Sequence, residues 1–286
     1  WAVDQGLTVF VISWVNPDQR LAEKTFEDYM FEGIYAALDG IKAACGEDEA
    51  NIIGYCLGGT LTGATLAHMA AKDDQRIKSA TFFTTLVDFT EAGELSIFID
   101  DAQLEQLEQK MEDQGGILDG STMATTFNML RSNDLIWSFV INNYLMGKDP
   151  FPFDLLYWNS DSTRMPAKMH SFYLRKMYQQ NLLSQPGGIE LGGCAIDLRA
   201  VNIPVHIIST KEDHIAPWKG TYVATQLYSG ETTFTLAGSG HIAGIVNPPS
   251  ANKYGYWSNG ENPATADEWF EGATQHEGSW WTQWGE

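Results

Sequence analysis

The stretch Asn51-Ile52-Ile53-Gly54-Tyr55-Cys56-Leu57-Gly58-Gly59-Thr60-Leu61-Thr62-Gly63-Ala64 decides how this chain is read. An apolar run leads in and a helix-compatible run of small residues leads out, which spells strand, sharp turn, helix. A turn that tight needs glycine wherever a Cβ would strike the neighbouring backbone. Gly54 and Gly58 stand two before and two after Cys56. This is the spacing of a nucleophile elbow, which lifts one side chain to the carboxyl edge of a parallel sheet and aims a helix N-terminus at it. The lifted residue here is Cys56, and the amide groups and helix dipole at such a point favour an anion. The plainer reading of the same residues is a glycine-rich turn around a structural cysteine.

Working outward, composition sets the bounds. The 286 residues suffice for one large domain, or one domain with an insertion, and 44% of them are hydrophobic. Asp and Glu number 37 against 17 Lys and Arg, a net charge of −20. A surface that acidic argues against nucleic acid and against anionic membranes. An anionic ligand would need its own local cations. Cys45, Cys56 and Cys194 are too few for a disulfide framework, which points to a reducing, cytoplasmic setting. No apolar run is long enough to span a bilayer. No Cys or His pair has metal-ligand spacing, and neither a P-loop nor a post-strand G-x-G-x-x-G occurs. The chain opens on Trp1 rather than Met and runs at once into Thr8-Val9-Phe10-Val11-Ile12-Ser13, so a fragment of something longer is expected.

Along the chain, Val9 to Ser13 reads as a strand covered on both faces. The loop after it, Trp14-Val15-Asn16-Pro17-Asp18, reads either as a donor of a second oxyanion N–H or as an ordinary β-to-α turn. Phe26, Met30, Ile34, Leu38 and Ile41 share one stripe of a helix over 25–44, which Cys45-Gly46 ends. The elbow strand covers Asn51 to Tyr55, the elbow helix Gly58 to Ala71, and Ile77 to Thr84 forms the next strand. From about Asp88 to Ala200 strand–helix alternation stops. Helical segments at 101–112, 123–130, 134–145 and 171–183 are expected there, broken by Pro150, Pro152 and Pro166. Its aromatic residues, Tyr173 and Tyr178 among them, read mostly as a small core of its own. The expected organisation is therefore a core over 1–88, a helical cap over 89–200 and the rest of the core over 201–286. In that last part Pro204 to Thr210 and Thr232 to Leu236 read as strands with a helix between, and the tail carries Trp280-Trp281 and Trp284.

An acid and a histidine sit on the loops that leave these two late strands. The order Cys56, Asp213, His241 is that of nucleophile, acid and histidine in α/β-hydrolases. All three loops would leave a parallel sheet at one edge, where ligands bind. Gly238, Gly240 and Gly244 flank His241 and allow close approach, and Asp213 can fix the imidazole tautomer. His214 adjoins Asp213 and reads as a neighbour of the site, in possible reach of a ligand. His206, within a strand, reads as a satisfied core residue, and His68 as a packed or surface imidazole. A cysteine nucleophile suits exchange between thioesters, which is nearly isoenergetic, and so favours acyl transfer over ester hydrolysis.

At this point the residues resemble the polyhydroxyalkanoate synthases, class I type. Gly54-Tyr55-Cys56-Leu57-Gly58-Gly59-Thr60 is similar to their lipase-like box. Ser13-Trp14-Val15-Asn16-Pro17-Asp18 resembles the turn ahead of it, though many members carry Arg where Val15 stands. Asn133-Asp134-Leu135-Ile136-Trp137, Pro152-Phe153-Asp154-Leu155-Leu156-Tyr157-Trp158-Asn159 and Tyr173-Leu174-Arg175 resemble the cap. Glu212-Asp213-His214-Ile215-Ala216-Pro217-Trp218 and Gly240-His241-Ile242-Ala243-Gly244 resemble the acid and histidine loops, and Ser279-Trp280-Trp281 matches near the end. The resemblance implies an α/β-hydrolase fold with a helical lid, its first sheet strands missing from this chain. It implies polymerisation of (R)-3-hydroxyacyl-CoA into polyester with release of CoA, without a cofactor or metal. Cys56 would carry the acyl chain and His241 would handle its proton. Asp213 would orient His241 or assist the substrate hydroxyl. The N–H of Leu57, with one from Trp14 or Val15, would form the oxyanion hole. Arg175 would either contact CoA or the substrate channel or make a structural ion pair within the cap, and His214 would stand near the ligand. A homodimer at the surface of cytoplasmic polymer granules is implied as well. Two rivals differ in class. One is a Cys-elbow hydrolase of thioesterase or dienelactone type, the other a non-catalytic hydrolase-fold binding protein.

Overall fold

The computed structural model describes residues 1–130, 136–149, 158 and 161–285. The expected start of the helix at Asp134, the prolines Pro150 and Pro152, and nearly all of the Pro152–Asn159 motif lie outside these residues. The chain divides into two contact units. One comprises Trp1–Ser13, Phe26–Ile99 and Phe172–Glu286, and the other Trp14–Thr25 and Asp100–Ser171.

The first unit is built on six strands: β1 (Ala50–Tyr55), β2 (Ile77–Phe83), β3 (Val205–Thr210), β4 (Thr232–Ala237), β5 (Tyr256–Ser258) and β6 (Thr274–His276). They lie side by side in sequence order. The first four pair in parallel, and β5 and β6 close the sheet antiparallel. Parallel strands need crossovers and are covered on both faces, which is why Phe82, Ile207, Ile208, Phe234 and Leu236 are all buried. Tyr55, Phe83, Ile208 and Thr235 stand in register, so the loops after β1, β3 and β4 start from one edge.

The helical residues 26–45 present Phe26, Met30, Ile34 and Leu38 to the core and end on Gly46 in the left-handed region. The elbow helix, Leu57–Ala71, is buried all round from Gly59 to Met69. Its threonines suit that position because each finds an acceptor: Thr62 donates to the Gly58 carbonyl, Thr65 to Leu61 and Thr60 to Leu86.

The second unit carries the helix Asp101–Asp113, closed at its start by a capping box between Asp100 and Gln103, with Leu104 and Met111 buried. It also carries the helix Gly120–Leu130 and a wider helical turn at Val140–Leu145.

Two expectations are corrected. Val9 to Ser13 is not a strand. It lies without regular structure, Val9, Phe10, Val11 and Ile12 being 48, 48, 82 and 38% exposed. A β-branched run becomes a strand only where a neighbour supplies the ladder, and no described strand pairs with it. The glycine argument at the elbow also shifts by one residue. A Cβ on Gly54 would stand 2.6 Å from the Gly59 Cα, and one on Gly59 would overlap the Thr85 side chain, whereas a Cβ on Gly58 would meet nothing. Gly59→Ala is therefore expected to cost about 1–3 kcal/mol through overpacking, while Gly58→Ala is expected to leave the thermal transition in place. Urea melts of the two variants read the difference directly.

Candidate active site

Cys56 has φ 52° and ψ −122°, outside the regions open to most L-residues. The strain is held from both sides. The Cys56 N–H donates to the Phe83 carbonyl at 2.9 Å, and its own carbonyl accepts from Gly59 at 2.9 Å and Thr60 at 3.1 Å. The side chain is thus fixed at the N-terminus of a 15-residue helix.

Asp213 follows β3 by three residues, and its side chain is fully buried. One carboxylate oxygen accepts from the Ile215 and Ala216 amides at 2.8 and 2.9 Å. The other accepts from the Thr210 hydroxyl at 3.3 Å and faces His241 Nδ1 at 2.6 Å. The loops of Asp213 and His241 are laced together by the Glu212 N–H, which donates to the Ser239 carbonyl at 3.0 Å. Glycine is forced at two of the positions around the histidine. A Cβ on Gly244 would stand 2.5 Å from the Gly238 carbonyl, and one on Gly238 would run into the Tyr254 carbonyl. Beyond the histidine, Trp280 Nε1 donates to the Gly244 carbonyl at 2.9 Å and Trp281 Nε1 to Ile245 at 2.8 Å. Ser279 donates to the Asn247 carbonyl. Trp280 itself sits in a core with Ile208, Ala237 and Ile245.

His241 feels opposed forces. Burial disfavours its charge, but the Cys56 charge, the hydrogen bonds to Asp213 and Cys56 and the Asp213 charge overcome that and hold its proton up to about 10. Two phenols share the neighbourhood. Burial raises the pKa of Tyr178, and so does the charge on Cys56. Tyr173 is raised by burial, by Tyr178 and by Cys56. Their rings pack on each other at 5.4 Å and on Phe89 at 5.9 and 4.8 Å. Asn181 ties that segment to the loop after β2, accepting from the Phe89 N–H at 2.8 Å and donating to Asp88 at 3.1 Å. Aromatic content reads these tyrosines as the core of the helical segment, and spacing alone does not mark either phenol as a neighbour of the cysteine.

The residues singled out in the sequence divide as follows. Cys56, Asp213 and His241 come together, and Leu57 opens the elbow helix beside Cys56. His214 follows Asp213 and is half-buried, and Arg175 lies half-buried in the helical turn Tyr173–Gln179. Trp14 and Val15 belong to the other contact unit, 44 and 71% exposed. His206 bonds the Thr235 hydroxyl at 2.9 Å, and burial lowers its pKa to about 4. His68 is buried, with Nδ1 2.8 Å from the Tyr35 hydroxyl. Among the described residues no group of three or more His, Cys, Asp or Glu could hold a metal, and no helix is long and apolar enough to cross a membrane.

A sheet with a strained nucleophile turn, followed by an acid and a histidine at the same edge, defines a class. The family described as alpha/beta hydrolase fold matches residues 2–248, and the chain belongs to it. Within that class the chain is 57% identical over 284 residues to the poly(3-hydroxyalkanoate) polymerase subunit of Rhizobium meliloti, which covers 99% of this chain and 46% of the relative. It is 52% identical over 285 residues to the poly(3-hydroxyalkanoate) polymerase of Methylorubrum extorquens, covering 99% and 47%. To the corresponding subunit of Cupriavidus necator it is 41% identical over 286 residues, covering 99% and 49%. The chain spans about half the length of the curated relatives it matches.

Proposed function

We propose that this chain is the catalytic part of an acyltransferase that polymerises (R)-3-hydroxyacyl-CoA into polyhydroxyalkanoate and releases CoA. The observation that carries the reading is the row Cys56, His241, Asp213 on three loops of one sheet edge, in a chain 57% identical to a polymerase subunit. Cys56 attacks the thioester carbonyl, and the oxyanion is held by the Leu57 N–H at the start of the elbow helix. Collapse breaks the bond to CoA sulfur. The leaving thiolate takes the proton of His241, giving free CoA, an acyl-Cys56 thioester and a neutral imidazole.

The second half follows from the same electrostatics. Once Cys56 is acylated its negative charge is gone, and with it a principal force that kept His241 protonated. The neutral imidazole then accepts the proton of an incoming 3-hydroxyl, whose oxygen attacks the acyl-Cys56 carbonyl. The bond to Cys56 sulfur breaks, and the chain leaves as an ester on the incoming hydroxyacyl-CoA. The Cys56 thiolate and protonated His241 are restored for attack on that new thioester. Asp213 fixes the imidazole tautomer and balances its charge in both halves. Arg175 contacts CoA or lines the substrate channel, and His214 stands next to the ligand. The reaction needs no cofactor beyond the CoA thioester itself. The protein works as a homodimer at the surface of cytoplasmic polymer granules.

The test is CoA release from (R)-3-hydroxybutyryl-CoA, with the insoluble product weighed. Polymer in step with CoA supports the reading. CoA with only free hydroxy acid replaces it with a thioesterase.

A further inference from the structure

Tyr55 immediately precedes the elbow cysteine and closes β1, in register with Phe83. Its side chain crosses to the loop of the base. The phenol hydroxyl donates to the main-chain carbonyl of His241 at 2.7 Å, and its ring lies 5.4 Å from the imidazole and 6.3 Å from Phe83. Two residues 186 positions apart are thereby joined at the point where nucleophile and base must meet. We propose that Tyr55 is a positioning residue, whose hydroxyl sets the place of His241 relative to Cys56 by holding the histidine's own carbonyl. The inference rests on the catalytic reading of Cys56 and His241.

The loop's construction makes this anchor matter. Immediately before His241 the backbone runs through Ser239 with φ 73° and Gly240, whose added Cβ would find its nearest contact at 3.8 Å. After it, the two indoles fasten Gly244 and Ile245. Asp213 holds the ring at Nδ1, and the Tyr55 hydroxyl fixes the same residue at its main-chain carbonyl. Because Tyr55 is covalently adjacent to Cys56 and its Cα is held in the sheet ladder, the anchor moves with the nucleophile. The hydroxyl remains a donor throughout, since burial and then the charges of Cys56 and Asp213 all oppose its ionisation.

Tyr55→Phe removes one oxygen and keeps the ring against the imidazole. The expected result is a fall in kcat for CoA release of about tenfold with KM little changed, the mark of a misplaced base rather than a lost substrate contact. With it the His241 proton, followed by imidazole NMR in the absence of substrate, is expected to leave about one pH unit lower than in wild type. Restoring a donor with Tyr55→4-aminophenylalanine is expected to recover both. Unchanged kcat and unchanged His241 titration in Tyr55→Phe overturn the proposal. So does failure of the restored donor to recover a loss, or a loss that tracks the thermal transition instead. The titration also separates this proposal from the reading beneath it. A wild-type His241 that titrates as a free imidazole removes the Cys56–His241 pairing itself, whereas a high wild-type value that Tyr55→Phe leaves in place removes the role of Tyr55 alone.

Discussion

Cys56→Ala is expected to release no CoA from (R)-3-hydroxybutyryl-CoA and to deposit no polymer, a loss of about four orders of magnitude or more. The fold is expected to survive, because the strained turn is fixed by main-chain bonds to Phe83, Gly59 and Thr60 that alanine keeps. A second effect separates this variant from one that merely blocks substrate. The charge of Cys56 is the foremost influence raising the proton affinity of His241 against the effect of burial. Without it the imidazole is expected to titrate below the value of about 10 that it has in the intact site. NMR of the histidine ring in the two proteins reads the sign. A histidine that titrates alike in both rules out an electrostatic partnership between the two groups.

Asp213→Asn is expected to be nearly as damaging, with kcat about 10⁴ lower, for a reason visible in the hydrogen bonds. One oxygen of Asp213 is committed to the amides of Ile215 and Ala216. Asparagine keeps that arrangement by placing its own oxygen there. Its NH₂ group then takes the place of the oxygen facing His241 Nδ1. A donor in that position forces Nδ1 to accept, and the proton moves to the nitrogen that must be free to take one from substrate. Shape and packing are preserved while the tautomer is reversed. Steady-state kinetics with a melting curve unchanged within a few degrees is the signature. A variant that keeps wild-type kcat removes the tautomer argument.

The parts of this site that could be read from the residues are those with local causes. The elbow strand ends at Tyr55 and the helix begins at Leu57, within a residue of where Gly54, Cys56 and Gly58 put them. Asp213 and His241 could be found because each follows a buried apolar run by a few residues, and chain order does the rest. What escaped has causes outside any window of sequence. Val9 to Ser13 has the composition of a strand, but its state is decided by whether another strand borders it. Strands β5 and β6 hold three residues each, too few to display an alternation. Glycine at 58 and at 59 looks alike on paper, and only the approach of Thr85 separates them. Gly192 and Gly193, both in the left-handed region, join two strands of two residues each, Glu190–Leu191 and Cys194–Ala195, too short to show in the sequence pattern. Tyr55 and Tyr173 stand in motifs and Tyr178 in none, but spacing does not reveal that the three phenols lie close to Cys56 or His241.

The indoles of Trp280 and Trp281 tie the His241 loop to the last helical turn among the described residues. Both donate into the turn that follows His241, so fraying of that segment is expected to loosen the histidine loop before the parallel strands open. On the proposed function, activity is then expected to fall at a lower temperature than the one at which the sheet melts.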